Sequence, residues 1–151
     1  MRNSRHIILF VEDSDEDFYT AKRAFTKAGV ANEIYRCVDG EDALDYLYRR
    51  GKYTDRRVAP LPNMIFLDLN LPKLDGKEVL AVIKKDSHLC DIPVVILTTS
   101  SDERDIEKCY EAGANSYIQK PVGFENFMKM VQELKNYWFE VVILPKIDNK
   151  L

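Results

Sequence analysis

The chain has 151 residues, of which 46% are hydrophobic and 31% are charged, and its formal net charge is −3. This size and composition predict one globular domain of 151 residues and argue against intrinsic disorder. The weakly negative charge argues against recruitment of nucleic acid, and no apolar run approaches the roughly 18 residues that a membrane span needs.

The cysteines and the N-terminal segment indicate a compartment. Cys37, Cys90 and Cys109 are odd in number and widely separated, which favours free thiols in a reducing environment. The first apolar stretch is too short for a signal peptide and runs directly into acidic residues. We therefore expect a cytoplasmic protein with no membrane association.

Short β-like runs alternate with longer helical patterns along the chain. Among the helices, the second and third are expected to open at the capping residues Asp39 and Asp75. The fourth is expected to run from Ser100 or Ser101 to Gly113. The predicted strands are 6–11, 33–38, 64–67, 94–98 and 116–119.

Five βα units in series predict a doubly wound α/β fold of the flavodoxin-like type. Its five-stranded sheet is expected to be parallel, in the order 2-1-3-4-5, with helices on both faces. After the fifth helix, residues 136–151 form a C-terminal extension that is too short for a separate output domain.

Three acidic residues stand at predicted strand ends. Glu12 and Asp13 follow the first strand, and Asp68 follows the third, which is its neighbour in the expected order. Ligands of doubly wound sheets bind at these carboxyl ends, and clustered carboxylates repel one another unless a cation is bound. Oxygen donors favour Mg²⁺ over Ca²⁺ here. The alternative is that each acid only caps the following helix.

The fourth and fifth strands end in a hydroxyl and an ammonium group. Thr98 closes the fourth strand and Lys120 follows the fifth. Together with the acids and Mg²⁺, these groups suit a phosphoryl group attached to a carboxylate, and Asp68 is the candidate nucleophile. Taken alone, Thr98 reads as an ordinary strand-end residue and Lys120 as a solvated surface lysine.

Four segments carry a family resemblance. The stretches "VEDS", "FLDLNLPKLDG", "PVVILTTS" and "GANSYIQKP" resemble the signature segments of the two-component response-regulator receiver domain. The resemblance extends over about residues 7–134, with the segments in the family's order. It implies the receiver fold and a phosphoryl group accepted from a histidine kinase.

The resemblance also implies a metal site. Asp68 would be the phosphoacceptor and a metal ligand, and Asp13 a direct Mg²⁺ ligand. Glu12 would reach the metal through water, because the family often has Asp at that position. Asn70 would offer its backbone carbonyl.

The remaining positions are implied to bind and report the phosphoryl group. Thr98 and Lys120 would each contact a phosphoryl oxygen. Tyr117 matches the aromatic switch position, where it would respond to movement of Thr98. The Lys120–Pro121 peptide bond is expected to be cis, because proline makes that isomer accessible.

The long segment 49–63 and the apolar C-terminal extension resemble the phytochrome-associated response regulators of cyanobacteria. This narrower resemblance implies a phytochrome histidine kinase as partner. The extension is expected either to fold back onto its own domain or to pair with a second copy. The second option gives a homodimer through the face of the fourth helix, fifth strand and fifth helix. The basic residues of 49–63 indicate a solvated loop or a docking site for an acidic kinase surface.

Two other functions compete with a phosphorylated receiver. One is a Mg²⁺-dependent phosphatase or nucleotide-binding enzyme, against which the first βα turn, "VEDSDED", has no phosphate-cradling glycine. The other is a degenerate receiver that acts only as a scaffold, against which Asp13, Asp68, Thr98 and Lys120 are all present. We therefore expect a phosphoacceptor switch and not an enzyme.

Overall fold

The computed structural model describes residues 6–30 and 33–147. Its five strands form one parallel sheet in the order 2-1-3-4-5, which confirms the predicted fold class. The strands are β1 (Ile7–Val11), β2 (Glu33–Cys37), β3 (Met64–Leu67), β4 (Val94–Thr98) and β5 (Ser116–Gln119).

Five helices connect and cover the strands, and their capping residues explain where they begin. Asp39 and Asp75 accept hydrogen bonds from the backbone N–H groups of Asp42 (2.7 Å) and Glu78 (3.1 Å), as predicted for the second and third helices. The helices are α1 (Asp15–Lys27), α2 (Gly40–Tyr48), α3 (Gly76–Lys85), α4 (Glu103–Glu111) and α5 (Phe124–Leu134).

The predicted bounds of the fourth helix were wrong at both ends. α4 begins at Glu103 because the side chain of Asp102 accepts a hydrogen bond from the N–H of Arg104 at 2.8 Å. Ser100 and Asp102 are both good capping residues, and the serine hydroxyl instead accepts a hydrogen bond from the N–H of Asp102 at 3.3 Å. The helix ends at Glu111, before Gly113, which has a φ of +105°.

The core lies in two layers, one on each face of the sheet. All four residues of β3 are buried, because helices cover both faces of this central strand. Met64 and Phe66 pack with residues of α1 and α5, whereas Ile65 and Leu67 pack with residues of α2 and α3. The strand that precedes Asp68 is therefore held rigidly from both sides.

The segment 49–63 is anchored against α2. It contains a 3₁₀ turn, Gly51–Tyr53, and the side chains of Tyr53 and Ala59 are buried. The hydroxyl of Tyr53 donates to Asp42 Oδ1 at 2.7 Å. Most of its basic residues remain exposed, so the segment combines a fixed backbone with a cationic surface.

The C-terminal extension folds back onto its own domain. α5 continues into a π-helical segment, Lys135–Val141, and the ring of Phe139 lies 6.5 Å from that of Phe25. Leu144 is buried, and Asn63 Nδ2 donates to the carbonyl oxygen of Pro145 at 3.5 Å. The chain thus packs beneath the amino ends of the strands, opposite the acidic residues. Residues 148–151 of the predicted extension lie outside the described residues.

Two adjacent side chains of the extension give a matched test of this packing. Leu144 is 9% exposed and Ile143 is 83% exposed. Leu144→Asp is expected to lower the free energy of unfolding by about 2–4 kcal/mol, because it buries an unpaired carboxylate. Ile143→Asp is expected to leave it nearly unchanged. Urea denaturation of both variants checks this, and equal losses of stability would contradict the packing.

Among the described residues, no helix has the length and apolar character needed to cross a membrane.

Candidate functional site

Three carboxylates meet at the carboxyl ends of β1 and β3. Val11 pairs with Leu67 in the sheet, and the N–H of Asp68 donates to the carbonyl oxygen of Val11 at 3.1 Å. The residues that follow the two strands therefore emerge at the same level. Each of Glu12, Asp13 and Asp68 offers an oxygen atom within 4.8 Å of the others. The structure thus brings together the three acids that the sequence predicted to cluster.

The environment of these acids favours a bound cation. Glu12 and Asp68 are buried, whereas Asp13 is exposed. The pKa of Glu12 is raised to about 7: burial is the largest cause and the charge of Asp68 adds to it, while the hydrogen bond and the charge of Lys120 oppose both. Three oxygen donors at this spacing fit a hard divalent ion such as Mg²⁺ or Mn²⁺.

Asn70 lies beside the carboxylate of Asp68. Its backbone N–H donates to Asp68 Oδ1 at 3.2 Å, within the loop that leads from β3 to α3. This contact orients the Asp68 side chain. The use of the Asn70 carbonyl as a metal ligand stays a prediction.

Lys120 is buried among carboxylates. Its side chain is 9% exposed, and its Nζ donates to Glu12 Oε1 (2.5 Å), Asp17 Oδ2 (2.8 Å) and Asp68 Oδ2 (3.1 Å). Burial lowers the pKa of Lys120, but hydrogen bonds to Asp17 and Glu12 and the charge of Asp68 outweigh it and raise the pKa overall. The lysine is therefore a fixed cation beside Asp68, and the reading as a solvated surface lysine is wrong.

Thr98 is fully buried at the end of β4. Its neighbour across the sheet is Gln119, and the next N–H, that of Lys120, donates to the carbonyl oxygen of Thr98 at 2.7 Å. The hydroxyl of Thr98 accepts from the N–H of Ser100 at 3.5 Å, a long contact. Thr98 thus links the backbone that carries the lysine to the loop that leads into α4.

Tyr117 contacts that same loop. The residue is half-buried on β5, and its hydroxyl donates to the carbonyl oxygen of Ser100 at 2.9 Å. Burial raises the pKa of its hydroxyl. The loop is also held from α3, because Lys77 Nζ and the hydroxyl of Ser100 both donate to Asp105, each at 2.8 Å. Tyr117 is therefore placed to respond to movement of the residues after Thr98.

The predicted cis bond between Lys120 and Pro121 was wrong. Every peptide bond of residues 6–30 and 33–147 is trans, including this one. Proline lowers the preference for trans to only about 0.5–1 kcal/mol, so its presence allows either isomer and selects neither.

Asp17 is the site residue that sequence reasoning missed. It lies in the first turn of α1, four residues after Asp13, and its carboxylate binds the ammonium of Lys120. The available signal was its place in the run of acids Asp15, Glu16 and Asp17 that opens α1, shortly after Glu12 and Asp13. Its partner, however, lies 103 residues away along the chain.

Known proteins resemble this chain in both sequence and fold. A family model for the response regulator receiver domain matches residues 8–132. Response regulator Rcp1 of Synechocystis sp. (strain ATCC 27184 / PCC 6803 / Kazusa) is 41% identical over 143 residues, which are 95% of each chain. Its Mn²⁺-bound crystal structure superposes with a TM-score of 0.86, covering 93% of this chain and 99% of that one.

Two further relatives extend the comparison. The crystal structure of the phosphorylated cyanobacterial phytochrome response regulator RcpA has a TM-score of 0.88 at 38% identity, covering 95% of this chain and all of that one (100%). A probable methanogenesis regulatory protein, FilR2 of Methanothrix harundinacea (strain 6Ac), is 43% identical over 132 residues. These are 87% of this chain and 83% of FilR2.

Proposed function

Because this chain belongs to the response regulator receiver domain family, we propose that it accepts a phosphoryl group on Asp68 from a histidine kinase. The observation that carries the proposal is the position of the Asp68 carboxylate. It lies at the end of a strand buried on both faces, beside two further acids and 3.1 Å from the ammonium of Lys120. This combination is suited to forming and stabilising an acyl phosphate.

Mg²⁺ is the metal that we propose for the reaction. Asp13 and Asp68 would hold it directly, Glu12 through water, and Asn70 through its backbone carbonyl. When bound, it offsets the repulsion between the carboxylates and the incoming phosphoryl oxygens. The cluster of oxygen donors supports this, and so does the Mn²⁺-bound structure of Rcp1.

The chemical step transfers one phosphoryl group between two side chains. An oxygen of Asp68 attacks the phosphorus atom, the P–O bond forms, and the P–N bond to the kinase histidine breaks with its electron pair returning to nitrogen. Lys120 then donates to one phosphoryl oxygen and the hydroxyl of Thr98 to another. Since the acceptor is the protein's own Asp68 and each transfer consumes one donor, the protein acts as a switch and not as a turnover enzyme.

The switch that we propose passes through Thr98 and Tyr117. The phosphoryl group adds negative charge and strong acceptors beside Asp68, which attract the Thr98 hydroxyl. The loop after β4 then moves. Tyr117 changes position with it, because in the unphosphorylated structure its hydroxyl donates a hydrogen bond to the carbonyl oxygen of Ser100 in that loop. The face formed by α4, β5 and α5 is thereby altered.

This face is also the proposed homodimer interface. A groove between α4, β5 and α5 is lined by apolar and aromatic side chains, including Tyr110, Ile118 and Trp138. Tyr110 and Tyr137 are largely exposed there. Val141 and Ile143 of the C-terminal extension are exposed nearby in the chain, so the extension both folds back and leaves apolar surface for a second copy.

A phytochrome is the kinase that we propose. The coverage of 95% and 100% in the comparison with RcpA supports it, because the resemblance includes the C-terminal extension. FilR2, at similar identity, supports a different sensor as the second candidate. Transfer rates from a phytochrome kinase and from an unrelated histidine kinase distinguish the two.

We propose a cytoplasmic location, since the three cysteines are unpaired thiols.

The phosphorylation of Asp68 is tested with a small-molecule donor. Incubation with acetyl phosphate and Mg²⁺ is expected to add one phosphoryl group to the wild type and none to Asp68→Asn, because the amide is not a nucleophile. Intact-mass analysis measures the addition. Chelation of the metal is expected to suppress it, and light scattering of the same samples reports whether the phosphorylated form is larger.

Asp91→Asn is the matched control. Asp91 is exposed and precedes β4, so it lies towards the amino ends of the strands, whereas Asp68 lies at the carboxyl ends. This variant is expected to be phosphorylated like the wild type. Equal phosphorylation of Asp68→Asn would contradict the assignment, and an unmodified wild type with every donor, including a phytochrome kinase, would favour the scaffold.

A further inference from the structure

Asp17 contacts Lys120 but has no part in the function proposed above. An ammonium group has three N–H donors, and those of Lys120 are matched by Glu12, Asp17 and Asp68. Glu12 and Asp68 are also candidate metal ligands, and Asp68 is the candidate phosphoacceptor. Asp17 is thus the one of these three acceptors that neither the metal nor the phosphoryl group engages in the proposed reaction.

The backbone of Asp17 is fixed by the start of α1. Its N–H donates to the capping hydroxyl of Ser14 at 3.1 Å, and its chain neighbour Phe18 is buried against Phe10 with ring centroids 5.9 Å apart. Lys120, by contrast, carries its charge on a long side chain with four rotatable bonds. Asp17 therefore offers Lys120 an acceptor on a short side chain with an anchored backbone, although its side chain is 44% exposed and that of Lys120 only 9%.

We propose that Asp17 is a positioning residue that holds the Lys120 ammonium so that one N–H points at Asp68. This role rests on the proposed function, since it acts on the lysine that donates to an oxygen of the phosphoryl group on Asp68. When the metal and the phosphoryl group draw the oxygens of Glu12 and Asp68 into new contacts, Asp17 remains as the acceptor for Lys120. Its acceptor oxygen thus keeps the cation where negative charge develops.

A purely structural role for Asp17 is the competing explanation. Asp15, Glu16 and Asp17 are all acids in the first turn of α1, where negative charge stabilises a helix. Glu16→Ala removes such a charge from the neighbouring position, which is exposed. Asp17→Asn removes the charge of Asp17 but keeps an acceptor oxygen on a side chain of the same length, whereas Asp17→Ala removes both.

Two measurements on the full chain test the proposal. The first is the mobility of Lys120 Cε, from ¹³C relaxation in solution; the second is the rate of phosphorylation by acetyl phosphate with Mg²⁺. Asp17→Ala is expected to make Lys120 mobile and to slow phosphorylation about tenfold, the effect of losing one charge-assisted hydrogen bond. Asp17→Asn and Glu16→Ala are expected to stay close to the wild type in both.

The outcomes separate this inference from the proposed function. A rigid Lys120 in Asp17→Ala, with a rate like that of Glu16→Ala, overturns the positioning role. Asp17→Asn as slow as Asp17→Ala also overturns it, because the charge and not the acceptor would then matter. If the wild type is not phosphorylated at all, the proposed function fails, while the mobility of Lys120 still decides the role of Asp17.

Discussion

Replacing Gly76 by alanine is expected to destabilise the fold by about 3 kcal/mol, because the new methyl group meets backbone atoms that side-chain movement does not relieve. A Cβ atom at Gly76 would lie 2.2 Å from the carbonyl oxygen of Asp68 and 2.7 Å from Cα of Leu69. The N–H of Gly76 also donates to the carbonyl oxygen of Leu69 at 3.0 Å. The start of α3 is therefore packed directly against the backbone that carries the candidate phosphoacceptor.

The same clash is expected to slow phosphorylation of Asp68. To accommodate the methyl group, either α3 or the end of β3 must shift, and the second movement displaces the Asp68 carboxylate from Lys120. Urea denaturation measures the first effect, and the rate of phosphorylation by acetyl phosphate with Mg²⁺ measures the second.

Gly51→Ala is the control for this substitution. Gly51 has a φ of +59°, and in the described structure a Cβ there has no atom within 4 Å apart from its chain neighbours. Its replacement is expected to cost only the left-handed conformation, about 1 kcal/mol, without affecting phosphorylation. Equal losses of stability at the two glycines would contradict the close packing at Gly76.

Lys120→Met is expected to destabilise the protein by about 3–5 kcal/mol at neutral pH in the presence of a chelator. Methionine keeps the apolar length of the side chain but leaves Glu12 and Asp68 as buried acids without their cation. Added Mg²⁺ is expected to restore part of the loss, because it binds the folded acid cluster and not the unfolded chain. Urea denaturation with and without Mg²⁺ measures both effects.

The loss of folding stability caused by Lys120→Met is also expected to depend on pH. In the wild type the pKa of Glu12 is about 7, above its ordinary value of 4.5, although Lys120 lowers it. Without the lysine the pKa rises further, so the folded variant binds a proton more tightly than the unfolded chain does. Its stability therefore increases as pH falls through the folded pKa towards 4.5. The difference in stability between Lys120→Met and the wild type is therefore expected to become smaller as the pH falls over that range.

Lys84→Met provides the comparison for Lys120→Met. Lys84 is also partly buried, but its Nζ donates to the backbone carbonyl oxygens of Cys90 (3.1 Å) and Ile92 (2.8 Å). Its replacement is expected to reduce stability by an amount that Mg²⁺ does not change. If Mg²⁺ had no greater effect on Lys120→Met than on Lys84→Met, the charge balance described for the acid cluster would be wrong.

Local pattern determined the sheet and the edge at which the site lies. The apolar run 64–67 predicts a strand covered on both faces, and such strands occur in parallel sheets between layers of helices. In a parallel sheet all carboxyl ends meet at one edge. Acids placed directly after β1 and β3 therefore had to come together, and the sequence was sufficient to predict the cluster of Glu12, Asp13 and Asp68.

Alternatives of nearly equal energy were left open by the sequence. Ser100, Ser101 and Asp102 can each cap a helix, and the choice of Asp102 depends on how the loop after β4 is held by Asp105 and Tyr117. The two isomers of the Lys120–Pro121 bond differ by too little for the sequence to select one.

Contacts between residues far apart in the chain were decided only by the tertiary structure. Asp17 and Lys120 are separated by 103 positions, and the sequence around either residue does not indicate that the two are in contact. Leu144 and Ile143 are similar apolar residues, yet only Leu144 is buried, because the path of the extension beneath the sheet sets which side chain faces inward. Hydrophobic periodicity and strand-end position are properties of neighbouring residues, so the sequence alone determined the fold class and the acid cluster. The partner of a long charged side chain and the inward face of an irregular tail depend on where distant segments pack, which is set only when the whole chain has folded.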